Sequence, residues 1–334
     1  MTATVLAKLL ALFFTVGLGY TAARLHWLGK PEDGDPARVL GSLAFYLFVP
    51  ALLFRTTARL DLAHMPWATL VAFFVPALGV LALVYLSQRR AAARHGAAAP
   101  ATRAITATFG NSVQVGIPFA AAVFGEAGLA IHIALVSLHA LVLLTVLTAL
   151  VEMDLARSAA AVAPGAGAGL QRLAQTLGQT LAQTARNTVV HPVVLPVIAG
   201  LAWSLTGLGL HPIVDESLLT LAAAVVPVCL VLIGVTLAAY GVRGRLRGAL
   251  GLGFVKLLLL PGVVLVVARW GFGLAGLPLA VVVMMAALPT GSNALIFSQR
   301  YQSLQAEVTA TIVLSTAAFA VTASLWLGVL AWLG

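Results

Sequence analysis

Two short stretches of the chain hold residue types that could do chemistry. The first reads Phe109-Gly110-Asn111-Ser112-Val113-Gln114-Val115-Gly116-Ile117-Pro118, the second Ala286-Ala287-Leu288-Pro289-Thr290-Gly291-Ser292-Asn293. Each sets proline, glycine, carboxamides and hydroxyls into an otherwise apolar run. Proline removes a backbone donor and clashes with the carbonyl four residues earlier, and glycine lets the chain open. A helix broken there presents free N–H groups, worth roughly half a positive charge, at the start of the half that follows. Two such ends brought together suit a carboxylate. The binding residues expected on this reading are Asn111, Gln114, Gly116, Pro118, Pro289, Thr290, Gly291, Ser292 and Asn293. Pro50, Pro76, Pro192, Pro196, Pro227 and Pro261 read as ordinary kinks.

Positioning these stretches is the task of a strongly apolar chain. Of 334 residues, 61% are hydrophobic and 9% charged, and the mean hydropathy is +1.05. Soluble domains carry about 25% charged residues, so a globular surface cannot be built from this composition. The net charge of +9 lies in short gaps between long apolar runs, which excludes a nucleic-acid surface. A single cysteine, Cys229, excludes an internal disulfide and multi-cysteine metal sites. The chain reads as an all-α integral membrane protein.

A crossing helix needs about 20 apolar residues. Reading between charges gives ten spans: 9–23, 39–54, 67–88, 104–125, 127–151, 187–205, 217–242, 248–268, 277–299 and 308–334. Fourteen lysines and arginines, Arg89, Arg90, Arg186, Arg243, Arg245 and Arg247 among them, follow odd-numbered spans. Four lie on the opposite side. That bias puts the odd gaps in the cytoplasm and both termini outside. The longest gap begins as a flexible linker at 158–169. Leu170, Leu173, Leu177 and Leu181 then fit either a helix lying on the membrane surface or a cytosolic extension of the sixth span.

The linker parts the spans into five and five, giving units at 1–153 and 187–334 with 154–186 between them. Pro50 is matched by Pro227, Pro118 by Pro289, and Glu126 by Glu307, at offsets of 171 to 181 residues. An odd number of crossings per half makes the second copy enter from the other side. The halves are thus expected to be inverted repeats, with broken fourth and ninth helices crossing at mid-membrane.

At these residues the chain resembles the auxin efflux carrier family, which includes plant PIN-FORMED carriers and bacterial malate or malonate permeases. The segment 111–118 resembles the family's fourth-helix motif, followed by Phe124-Gly125-Glu126. The segment 286–291, with Tyr301 and Glu307, resembles the ninth-helix motif. Gly19-Tyr20, the stretch 48–54, and Pro227 with Gly234 fit the first, second and seventh helices. His191-Pro192 stands where the family has Asn-Pro. The resemblance implies a fold like that of bile-acid transporters and sodium–proton antiporters. Helices one, two, six and seven would form a scaffold, often a homodimer interface. Helices three to five and eight to ten would form a transport domain moving like an elevator. The family's crossover asparagine corresponds to Asn111.

Other residues bear on coupling. His132 and His139 share a face of the fifth span and could carry protons. Lys256 is the charge in mid-span; it could neutralise an anion in the cavity or snorkel toward the cytosolic end near Arg247, and snorkelling is the expectation. No acid lies mid-span, which weighs against cation–proton antiport; sodium could still bind through Asn111, Gln114, Asn293 and free carbonyls. No HExxH, GxSxG or embedded acid pair occurs, so an enzyme is not expected, nor a cofactor or bound metal. The expected function is secondary transport of a small organic anion across a bacterial-type inner membrane, coupled to H+ or Na+ if to any ion. The alternative is a membrane sensor that keeps the fold without net flux.

Overall fold

In lipid, every backbone N–H and C=O must bond within the protein, and long apolar runs do so as helices. The computed structural model describes residues 3–29, 36–59, 67–89, 95–162, 194–240 and 246–333. Among them there is no strand, and one isolated bridge pairs two non-helical stretches.

Helix α1 is Ala3–Arg24. Helix α2, Pro36–Leu43, passes through a π turn at Ala44–Phe48 into α3, Val49–Ala58, and α4 is Trp67–Gln88. Helix α5, Ala99–Thr108, stops short of a break, after which α6 runs from Gly116 to Val162. Helices α7, α8 and α9 are Val194–Leu205, Pro212–Ala223 and Val225–Tyr240. Helix α10, Leu246–Phe254, continues through a π turn at Val255–Leu259 into α11, Leu260–Val266, and a second π turn at Val267–Gly271. Helix α12, Gly276–Ala287, ends at the second break; α13, Asn293–Arg300, follows, and α14 is Gln305–Leu333.

Six of these helical runs are long and apolar enough to cross a membrane: Val39–Ala58, Trp67–Gln88, Gly116–Leu155, Pro212–Val235, Leu246–Gly271 and Gln305–Leu333. The third has 40 residues, which at 1.5 Å each would span about 60 Å, twice the hydrocarbon thickness. It does not run straight. Gly125 has φ of 67°, and His132 Nε2 lies 2.8 Å from the Ser112 carbonyl. A straight helix would hold residues 116 and 132 about 24 Å apart, yet a Cβ on Gly116 would lie 2.5 Å from that same imidazole nitrogen. The chain folds back at Gly125.

Among the described residues, two of the three π turns have a local cause in a proline. Pro50 and Pro261 each stand just after one, so the carbonyl four residues upstream, of Tyr46 or Leu257, lies in the widened turn instead of against the pyrrolidine ring. The Leu257 carbonyl, to which Pro261 can offer no N–H, accepts from Trp326 Nε1 at 2.8 Å. Helices α1 and α9 pack together, as do α3 with α7, α4 with α5, and α10 with α14.

Several features differ from the sequence reading. The fourth span begins at Ala99, upstream of Arg103, because that arginine is neutralised. Its guanidinium meets Glu307 at 2.9 and 3.2 Å and Gln88 at 2.8 Å. Helix α6 continues to Val162, so the linker expected from residue 158 starts later; alanines at 159–161 favour helix. Glu126 and Glu307, matched by the repeat, differ in setting: Glu126 is exposed and Glu307 buried in an ion pair. The surface helix expected at 170–181 and the His191-Pro192 motif lie outside the described residues.

Candidate functional site

Both sequence stretches are breaks, and they meet. Asn111 N–H donates to the Pro289 carbonyl at 2.8 Å, and Gly291 N–H donates to the Phe109 carbonyl at 2.9 Å. These two bonds make an antiparallel bridge between Gly110 and Thr290. Glycine is required at 291, because a Cβ there would lie 2.8 Å from the Gly110 carbonyl oxygen. The first break lies at 109–115, upstream of Pro118, which sits in the first turn of α6, where a proline loses no intrahelical bond.

Four helix ends converge on the bridge. Helices α5 and α12 bring their C-termini, α6 and α13 their N-termini. A cavity of about 20 Å³, room for about one water, is lined by Asn111, Ser112, Val113, Gly291, Ser292 and Asn293 with Phe109, Gly110, Val136 and Ala140. Among the described residues, the backbone N–H groups of Ser112, Val113, Ser292 and Asn293 have no acceptor within the protein. Both helix starts, with these unmade donors, border the same small cavity.

The expected site residues divide. Asn111, Gly291, Ser292 and Asn293 line the cavity. Gln114 stands behind Asn111: its Oε1 accepts from Asn111 Nδ2 at 3.1 Å, and its backbone N–H donates to Asn111 Oδ1 at 3.2 Å. Gly116 makes room for His132, and Pro289 supplies the bridge carbonyl. Thr290 turns into the core, where its hydroxyl donates to the Thr106 carbonyl at 2.9 Å and its N–H to Ser315 Oγ at 3.1 Å.

His132 donates from Nε2 to the Ser112 carbonyl and so props the first break. His139 packs 4.5 Å from the Phe109 ring and 5.8 Å from Phe73; among the described residues neither of its nitrogens has a hydrogen-bond partner. Lys256 does not snorkel. It is fully buried, and Nζ donates to the Ala286 carbonyl at 2.5 Å, at the C-terminal end of α12. The π turn enforced by Pro261 holds it there, and proline five residues on was the sequence signal for that turn. Ser315 and Trp326 also support the break and its lysine, and no local pattern in the sequence announced either.

Away from the bridge, Arg55 and Arg59 both pair with Asp215, joining α3 to α8. Tyr301 donates to Glu152 at 2.9 Å. Burial, and then that hydrogen bond, raise the Tyr301 hydroxyl above the ordinary phenol range, so it stays a donor at physiological pH. A second, larger cavity of about 380 Å³ lies between α1, α9, α14 and the start of α6, lined mainly by apolar side chains such as Phe13, Val16, Phe119, Leu230 and Phe319.

A family model described as membrane transport protein matches residues 4–327, nearly the whole chain. The chain belongs to the auxin efflux carrier family. No curated protein matches it. Auxin efflux carriers are membrane transporters, and several long apolar helices make this member a multi-pass membrane protein.

Proposed function

We propose that this family member is a secondary transporter that moves a small organic anion, bound through its carboxylate where the two broken helices meet. The observation carrying this reading is the convergence of two helix N-termini, with four backbone N–H groups that find no acceptor among the described residues, on a cavity lined in part by Asn111, Ser112, Ser292 and Asn293. Each N-terminus supplies roughly half a positive charge, and such ends bind carboxylates and phosphates.

The cavity in this conformation is too small for a carboxylate, so loading needs movement. We place that movement along the 380 Å³ cavity, where α1 and α9 of a scaffold face α6 and α14 of a moving unit. Ten crossings in two inverted halves follow if the Gly125 fold-back divides one long run, if the interrupted runs α5–α6 and α12–α13 each cross once, and if α1 and α7 cross as well. Both termini outside, an inner-membrane location, a scaffold homodimer and an absence of catalysis belong to the same reading. Proton coupling through His132 or His139 and sodium coupling remain proposals within it.

The test is Asn111→Ala in proteoliposomes. The variant should stay monodisperse and lose flux of labelled malate, malonate or acetate, whichever wild type carries. Undiminished flux would remove the bridge as the binding site.

A further inference from the structure

The anion reading uses the two N-termini at the bridge and leaves two C-termini unexplained. Helices α5 and α12 both end there, and each C-terminus carries roughly half a negative charge. The sum is about one negative charge, buried, at membrane depth. The two N-termini lie on the donor side of the bridge, so a cation set against the carbonyl side would be stabilised there. We infer that Lys256 is a resident cation: its ammonium neutralises the C-terminal side of the bridge and takes the place that a bound sodium ion would otherwise fill.

Four observations carry this. Lys256 is 0% exposed, so water does not screen its charge. Its Nζ donates to the Ala286 carbonyl in the last turn of α12. The same nitrogen lies 3.6 Å from where a Cβ on Gly110 would sit, just past the end of α5, so it stands beside the first break as well. The π turn at Val255–Leu259, with Leu257 tied to Trp326, aims it there. The other helix end is served by a neutral donor, Thr290 Oγ1 to the Thr106 carbonyl. Among the described residues no acid pairs with Lys256, so helix carbonyls are its counter-charge. Lys256 is a positioning residue: it fixes the bridge from the carbonyl side while the donor side stays open to an anion.

The inference rests on the geometry of the bridge and stands whether or not an anion binds there, so its test uses no substrate. Detergent-purified wild type, Lys256→Ala and Lys256→Met are melted in choline, sodium and methylammonium chloride at matched ionic strength. Wild type should melt at the same temperature, within about 1 °C, in all three. Lys256→Ala should melt lower and recover part of the loss in methylammonium, saturably, because the small cation fits the vacated space. Lys256→Met fills that space without charge and should melt lower with no recovery. A sodium-stabilised wild type overturns the inference, and this arm needs no variant to fold. So does a Lys256→Ala protein that responds to methylammonium no more than wild type, or a Lys256→Met protein as stable as wild type. Loss of flux in Asn111→Ala with a failed methylammonium rescue would keep the anion site and discard the resident cation.

Discussion

Adding one methyl group to either glycine of the bridge should give opposite outcomes. In Gly291→Ala the new Cβ would lie 2.8 Å from the Gly110 oxygen, 3.1 Å from its carbonyl carbon and 3.2 Å from the Asn111 nitrogen, all of them backbone atoms. The closest approach falls about 0.6 Å short of the 3.4 Å at which ordinary contact begins. If the strands part by that amount, the hydrogen bonds at 2.8 and 2.9 Å stretch to about 3.4–3.5 Å, beyond the working range. Each buried bond lost costs about 1–3 kcal/mol, so the pair is worth about 2–6 kcal/mol. In Gly110→Ala the nearest atoms lie at 3.5–3.6 Å, an ordinary distance. Thermal unfolding of purified protein, followed by tryptophan fluorescence, reads the difference. Gly291→Ala should melt about 3–9 °C below wild type, and Gly110→Ala close to it. Equal melting temperatures for the two variants, or a larger drop for Gly110→Ala, would refute the bridge as a close-packed joint.

Glu307→Gln leaves Arg103 buried without its counter-charge and should cost about 3–5 kcal/mol, read as lost thermal stability. Pairing Arg103→Met with Glu307→Leu should recover much of that loss, since apolar replacement of a buried pair is often neutral. Trp326→Phe strips the indole donor from the buried Leu257 carbonyl and should cost about 1–3 kcal/mol in the same assay. His132→Phe removes the donor to Ser112 and should lower flux more than expression, because the first break loses its prop. If His139 carries a coupling proton, His139→Gln should move the pH profile of flux; an unmoved profile ends that idea.

Much of this architecture is legible in the chain because lipid leaves few options. The helix Trp67–Gln88 has the bounds that the uncharged run alone predicts, and Gly125 turns the chain where the fourth span was expected to end. Helix limits fail where a distant residue decides them. Arg103 looks like a loop residue until Glu307, 204 positions later, neutralises it. The site divides the same way. Asn111 and Asn293 stand out as carboxamides in apolar runs, and both line the cavity. Thr290 carries the same signal yet faces the core, because its rotation is set by Thr106 and Ser315 from two other helices. Lys256 was visible as a mid-span charge, but snorkelling and carbonyl capture predict the same sequence. Pro261 and the Ala286 carbonyl choose between them.

Uptake of labelled malate, malonate and acetate into proteoliposomes, wild type beside Asn111→Ala, decides whether the paired breaks hold the transported anion. Wild type should equilibrate at least one of the three across the membrane, while the variant, equally folded and reconstituted, should match protein-free vesicles. Flux through Asn111→Ala at the wild-type rate, for an anion that wild type carries, would place the binding site elsewhere.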